Sequence, residues 1–306
     1  MNPYGYLSRE PHFSLRLDKK TSQWLHYAVS FPIAHPTSYE ENNTAWGEYF
    51  VPTSGGRFPF VILLHGIGDQ TLLPCKMLAR HLAKKGIASF ILYLPFHSRR
   101  IPKYMKGKSL PLSVDNWLEV FQASVADVRQ VIDWAGGREE LDDKQIALIG
   151  ISLGGFVSAI AMGIDKRITA GVFLVTGGNL EEITWNGKSR SARKGHSCTR
   201  AECRNIYSRY PRYLAEVAQK GFENATPAKE CFLFDPMTFA SYLHGRPILM
   251  INALWDLAIP RRATLDFWEA CGRPHLTWLP STHLTIYLWY PFISHKLTAF
   301  LQSTFN

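Results

Sequence analysis

Short apolar runs recur along the chain, and the spacing between them alternates between strand-like and helix-like. Residues 44–52 read as an early strand. Phe60 to Leu64 is apolar throughout and runs into His65-Gly66-Ile67-Gly68-Asp69, as expected of a strand buried on both faces. Leu73, Met77, Leu78 and Leu82 then fall on one helical face, with Lys84 and Lys85 complementing the last turn and Gly86 stopping it. Ile87 to Leu94 is the next strand, closed by Pro95. Trp117, Leu118, Phe121, Val125, Val128, Ile132 and Ala135 form a single stripe, the clearest helix in the chain, which Ser113 is placed to cap and Gly136-Gly137 to end. Gln145 to Ile149 predicts a strand leading into Gly150-Ile151-Ser152-Leu153-Gly154-Gly155, followed by a small-residue helix over 155–164. Further strands are expected at Ile168–Val175, Pro247–Ile251 and His275–Leu279. Leu265, Trp268 and Cys271 fit a helix stopped by Gly272, and Pro291 to Leu301 a last one. Strands alternating with helices imply an α/β fold with a mostly parallel sheet covered on both faces.

Residues 179–245 break that rhythm. They are polar, basic and aromatic, with Tyr207, Tyr210, Tyr213, Phe222, Phe232, Phe234 and Tyr242. The stretch is too long for a simple loop between core strands, so it is expected to be a cap inserted beside the active site, its aromatics forming its own core. The core domain is then 1–178 together with 246–306.

Composition narrows the class. At 306 residues, with 46% hydrophobic and 19% charged, the chain can bury a large core and reads as globular. The opening residues lack the basic and apolar regions of a secretory signal, and no apolar stretch is long enough to span a membrane, which predicts a soluble cytoplasmic protein. Five scattered cysteines, an odd number, argue against a disulfide framework. His196, Cys198 and Cys203 lie close together, but without a Cys-x2-Cys pair they do not make a zinc motif, and no metal is expected. The formal charge of +9 is local. Residues 99–108 carry Arg99, Arg100, Lys103, Lys106 and Lys108 with no acid, and residues 188–212 carry eight basic residues against Glu202 alone. If both stretches flank one mouth, they would draw in an anionic substrate. Nucleic-acid binding is not expected, because no recognisable module accompanies the charge.

Four features fall where parallel strands end. Ser152 lies between a strand and a helix, flanked by glycines that permit a tight turn and keep side chains away from the hydroxyl. Asp256 follows the strand Pro247–Ile251, His283 follows the last strand, and His65-Gly66 follows an earlier one. Ligands of open parallel sheets bind beyond these carboxyl ends. A serine hydroxyl needs a base, and the base needs a partner that fixes its tautomer. Ser152, Asp256 and His283, in that chain order, supply all three roles. Each has a plainer reading alone, as a turn residue or a surface histidine; it is their joint placement that points to chemistry. His97 is expected to scaffold its loop, Asp69 to cap the following helix or brace the His65 loop, and Asp235 to occupy a turn. His295 is not expected to be the base.

At these residues, over about 44–303, the sequence resembles the α/β-hydrolase superfamily, in its serine esterase and dienelactone-hydrolase-like branches. The resemblance implies an eight-stranded, mostly parallel sheet, a covalent acyl-enzyme, no cofactor and a small-molecule ester substrate. It also implies an oxyanion hole from the backbone N–H groups of Leu153 and Ile67, with Gly68 as the fallback. Dienelactone hydrolases carry a cysteine nucleophile where this chain has Ser152, so their particular reaction is not expected. The competing functions are a peptidase or amidase using the same triad, and a non-catalytic protein that binds a small ligand.

Overall fold

Along the strand Phe58–Leu64 (β4), Phe60, Ile62 and Leu64 pack into one hydrophobic cluster and Val61 and Leu63 into another. All five are wholly buried, which is why this stretch shows no polar alternation. The same logic runs through the rest of the sheet. A computed structural model describes residues 2–7, 12–105, 114–188, 193 and 198–305. Among the described residues the remaining strands are β1 (Ser14–Lys20), β2 (Trp24–Pro32), β3 (Thr44–Pro52), β5 (Ala88–Leu92), β6 (Leu141–Ile151), β7 (Ile168–Leu174), β8 (Ile248–Ala253) and β9 (His275–Leu279). They form one nine-stranded sheet in the order β1-β2-β3-β5-β4-β6-β7-β8-β9. The pairings from β1 through β3 to β5 are antiparallel, and those from β5 to β9 are parallel.

The sheet therefore has one strand more than the eight expected. β1 and β2 precede the first strand that the apolar pattern picks out. β1 is Ser-Leu-Arg-Leu-Asp-Lys-Lys at an edge, exposed at nearly every position, so it has no apolar run to betray it.

Helices cover both faces. One face carries α1 (Leu73–Lys84), whose Leu78, Ala79, Leu82 and Ala83 join the cluster of Val61 and Leu63. Gly86 ends this helix with a φ of +77°, a conformation that favours glycine. The other face carries α2 (Val114–Gly136) and α3 (Leu153–Ile164). The cap proposed for α2, Ser113, lies outside the described residues. Residues 179–245 supply α4 (Leu180–Trp185), α5 (Arg200–Tyr207), α6 (Tyr210–Lys220) and the short α7 (Pro236–Phe239). Their aromatics, Tyr207, Tyr210, Tyr213, Phe232 and Phe239 among them, are buried in the same cluster as Phe60 and Ile62. The inserted segment thus packs into the main core rather than around a separate one. Helix α8 (Arg261–Ala270) completes that face, and α9 (Tyr290–Phe305) lies beside α1 on the other, with Tyr290 Oη donating to the Met77 carbonyl at 2.9 Å.

Registers set the active edge. Leu64 stands opposite Gly150, Leu174 opposite Ile251, and Ala253 opposite Leu279. The residues that leave β4, β6, β8 and β9 therefore emerge along one side of the sheet.

Candidate active site

β6 ends at Ile151 and α3 begins at Leu153, so Ser152 is the whole turn between them. It holds φ 53° and ψ −113°, a strained conformation for a residue with a side chain, which costs on the order of 1–3 kcal/mol. Its N–H donates to the Leu174 carbonyl at 2.9 Å, and its own carbonyl accepts from Gly155 and Phe156. The flanking glycines serve close backbone approach. A Cβ on Gly150 would sit 2.3 Å from the Gly154 carbonyl oxygen, and one on Gly154 would sit 2.2 Å from the Leu64 carbonyl oxygen. Neither glycine takes a positive φ; the serine does.

The three separated residues meet. Ser152 Oγ lies 3.0 Å from His283 Nε2, and His283 Nδ1 lies 2.7 Å from Asp256 Oδ2. A carboxylate can only accept, so Nδ1 carries the proton and Nε2 is left to accept from the serine hydroxyl. The other Asp256 oxygen accepts from the Ala258 and Ile259 N–H groups at 2.8 and 2.9 Å, so its own loop holds the carboxylate still. Its side chain is 3% exposed against 19% for His283. The acid is sealed and the histidine faces the cavity.

Two buried histidines organise the loop after β4. His65 Nδ1 donates to the Gly66 carbonyl and Nε2 accepts from Leu94 N–H at 3.0 Å. His97 Nδ1 donates to the Pro95 carbonyl and Nε2 accepts from Gly68 N–H at 2.9 Å. Both must be neutral to make these bonds. Burial first, and then the neighbouring His97, drives the His65 pKa down to about 3, and burial also lowers that of His97. Gly68 N–H, the fallback oxyanion donor, is engaged by His97 in this arrangement. Ile67, one residue earlier, lines the same cavity as Ser152 and Leu153. Leu153 opens α3, where a helix leaves its first N–H groups unpaired. His97 thus scaffolds its loop as expected, and it also braces the loop after β4, a contact that no local sequence pattern announces.

The cavity beside Ser152 measures about 610 Å³. Trp117, Phe121 and Phe156 wall it on one side with Leu180, Ile183 and Phe234 of the inserted segment; Leu73, Met77, Tyr287 and Tyr290 wall the other. Among the described residues, no lysine or arginine lines it. None of the described residues of the two basic stretches lines it, and four of their arginines make contacts of their own. Arg100 is wholly buried, paired with Asp127 at 2.6 Å and donating to the carbonyls of Tyr93 and Asn42. Arg99 stacks on Trp46, Arg193 donates to the carbonyls of Thr184 and Gly187, and Arg200 donates to Asn186. Lys106, Lys108, Arg190 and Lys194 lie outside the described residues.

Other candidates find plainer places. Asp69 accepts from Thr71 and Leu72 in the turn before α1 and does not cap the helix itself. Asp235 is wholly buried and accepts from the N–H groups of Asn179, Leu180 and Met237 and from Tyr207 Oη, so it ties α4 and α5 to the start of α7. His295 is exposed on α9. Among the described residues no cluster of histidine, cysteine or acidic side chains could hold a metal, and His196 lies outside them. No described helix is long and apolar enough to cross a membrane.

Residues 29–178, just under half of the chain, match the family described as alpha/beta hydrolase domain containing 18. The chain has the α/β-hydrolase fold. Solved structures of α/β-hydrolase fold agree along nearly its whole length. An acetyl xylan esterase from Paenibacillus sp. R4 is 19% identical with a TM-score of 0.69, covering 96% of this chain and 89% of its own. Acetyl xylan esterase 1 from Thermoanaerobacterium sp. JW/SL YS485 is 14% identical with a TM-score of 0.66, covering 97% and 89%. A cold-adapted esterase from an Arctic intertidal metagenomic library is 15% identical with a TM-score of 0.60, covering 92% and 98%. At these identities the likeness is one of fold. No curated protein matches the sequence of this hydrolase-fold chain.

Proposed function

We propose that the chain hydrolyses carboxylic esters through a covalent acyl-enzyme on Ser152. The observation that carries the reading is the unbroken relay from Ser152 Oγ to His283 to Asp256, at 3.0 and 2.7 Å, opening on a large apolar cavity. In the proposed reaction His283 Nε2 takes the serine proton as Oγ attacks the ester carbonyl carbon. The N–H groups of Leu153 and Ile67 receive the oxyanion that forms. As the intermediate collapses, His283 returns the proton to the departing alcohol, and water, activated by the same imidazole, releases the acid. Asp256 holds the tautomer and balances the imidazolium charge. The cavity lining favours an apolar ester over the anionic one that the charge map suggested. Acetyl xylan esterases share the fold, and esters are accordingly the first class to test.

The test is labelling by a fluorophosphonate probe together with an ester panel that varies acyl length and includes a peptide. Wild type should label and turn over the longer apolar esters. Ser152→Ala and His283→Ala should each abolish both, and the double variant should lose little more than either single one, because such residues act as a unit. Undiminished turnover by purified Ser152→Ala protein would sink the proposal.

A further inference from the structure

The described residues include thirteen exposed large hydrophobic side chains, and ten of them fall on three segments, 67–73, 254–257 and 284–292. These segments hold the candidate oxyanion loop, the Asp256 loop and the stretch after His283. Ile67, Leu73 and Leu284 also line the cavity, so the apolar rim is continuous with its mouth. Leu284 is 75% exposed and Leu288 81%, far beyond what a scattered surface leucine needs. Soluble proteins rarely leave so contiguous an apolar surface bare unless something covers it.

Charge says what covers it. No aspartate or glutamate occurs anywhere in residues 70–114 or 270–306, the stretches that contain α1 and α9. Leu73, Met77, Arg80 and Lys84 are spaced four, three and four apart and so share one stripe of α1, apolar at the mouth and basic at the far end. Arg80, Lys84 and Lys85 are exposed, and Lys296 of α9 sits over the Phe292 ring. The local field is positive enough that, after burial, Lys85, Lys84 and His295 hold the His81 pKa below its ordinary value. A face that is apolar at one end and basic along its flank, with no acid on either helix and with the rim's Asp69 engaged by the Thr71 and Leu72 N–H groups, matches a layer of anionic headgroups over hydrocarbon.

We infer that the mouth rim and the α1–α9 face dock this protein on an anionic phospholipid surface, with Leu284, Leu288 and Phe292 entering the acyl boundary. Lys84, Lys85 and Lys296 lie against the headgroups. The cavity then opens toward the hydrocarbon, and an apolar ester passes into it without crossing water. Docking itself requires no turnover; the use made of it rests on the hydrolase reading above.

The experiment is flotation of the full chain with vesicles of phosphatidylcholine alone, or of equal parts phosphatidylcholine and phosphatidylglycerol. Wild type and Ser152→Ala should both float with the mixed vesicles at low salt. Binding should fall in about 1 M salt, where the screening length is about 3 Å. Lys84→Gln and Lys85→Gln should each weaken binding about fivefold. Leu288→Glu with Phe292→Glu, neither of which lines the cavity, should abolish flotation yet leave hydrolysis of a short soluble ester unchanged without vesicles. Failure of wild type to float, or equal flotation by the Leu288→Glu, Phe292→Glu variant, overturns the inference. So does a wild-type dimer in light scattering that this variant converts to monomer, which would give the rim to a second copy. Flotation without fluorophosphonate labelling sinks the hydrolase reading alone, and labelling without flotation sinks the docking alone.

Discussion

Asp256 commits one oxygen to two backbone N–H groups and the other to His283, so replacing the carboxylate by an amide changes the chemistry without freeing the loop. Asp256→Asn should stay folded and lose about 10⁴-fold in kcat, because the amide can donate to the imidazole and stabilise the wrong tautomer. Near-normal turnover in a steady-state assay would remove Asp256 from the proposed triad. His97 acts one step further out. Its Nε2 holds Gly68 N–H, and Gly68 follows the proposed donor Ile67. His97→Phe should lower kcat on the order of tenfold with little change in KM, less than the 10²–10³ expected when an oxyanion donor is deleted outright. His97→Asn, which restores an acceptor, should recover part of the loss; an equal loss in both variants would mark a packing role only. Ser152, Asp256 and His283 were legible because each ends an apolar run and the chain order is diagnostic. The work of His97 was not, since its partner is distant in sequence and the bond exists only once β4 and β5 lie side by side.

The serine turn depends on elements touching through backbone. α3 reaches β4 so closely at Gly154 that a methyl group there would overlap the Leu64 carbonyl, and no side-chain rotation relieves a clash with main chain. Gly154→Ala should therefore cost about 3 kcal/mol or more, with a matching fall in melting temperature and in probe labelling. A melting temperature within about 2 °C of wild type would show that the contact yields more easily than argued. Elements buried on both sides were readable: β3 to β9 and the helices α1, α2 and α3 follow from apolar runs and stripes. β1 escaped because an edge strand with charged side chains has no such run. The packing of residues 179–245 escaped for the opposite reason. Their aromatics have no strict period, and only the fold reveals that they join the main core. Arg100 misled because a basic run reads as surface until Asp127, on α2, is seen to neutralise it in the interior.

At the scale of the molecule, acid should act first through the buried histidines. The His65 pKa lies at about 3 in the fold against 6.5 ordinarily, so below 6.5 the unfolded chain takes up a proton that the native one refuses. The stabilisation is complete above 6.5 and is lost progressively as pH falls toward 3; His97 is shifted in the same sense. Glu48 contributes lower down. Burial raises its pKa, but hydrogen bonds from His26, Tyr93 and Lys76 overcome that and bring it to about 2, so its window runs from 4.5 downward. Denaturant midpoints taken above 6.5 and at about pH 5 should therefore report the histidines without Glu48. His65→Gln, which keeps a donor and an acceptor, should show a smaller drop between them than wild type; an equal drop would assign the acid sensitivity elsewhere. A different property of the whole follows from β1. Among the described residues its outer edge has no partner strand, and where such an edge is flat and apolar it invites the same strand of another copy to add on. Here that edge carries Arg16, Asp18, Lys19 and Lys20 and slips register between Leu17 and Lys19. A second sheet laid alongside would have to strip water from these charges and match an irregular ladder. The strand that contributes nothing to the cavity lining thus works against edge-to-edge polymerisation at high concentration.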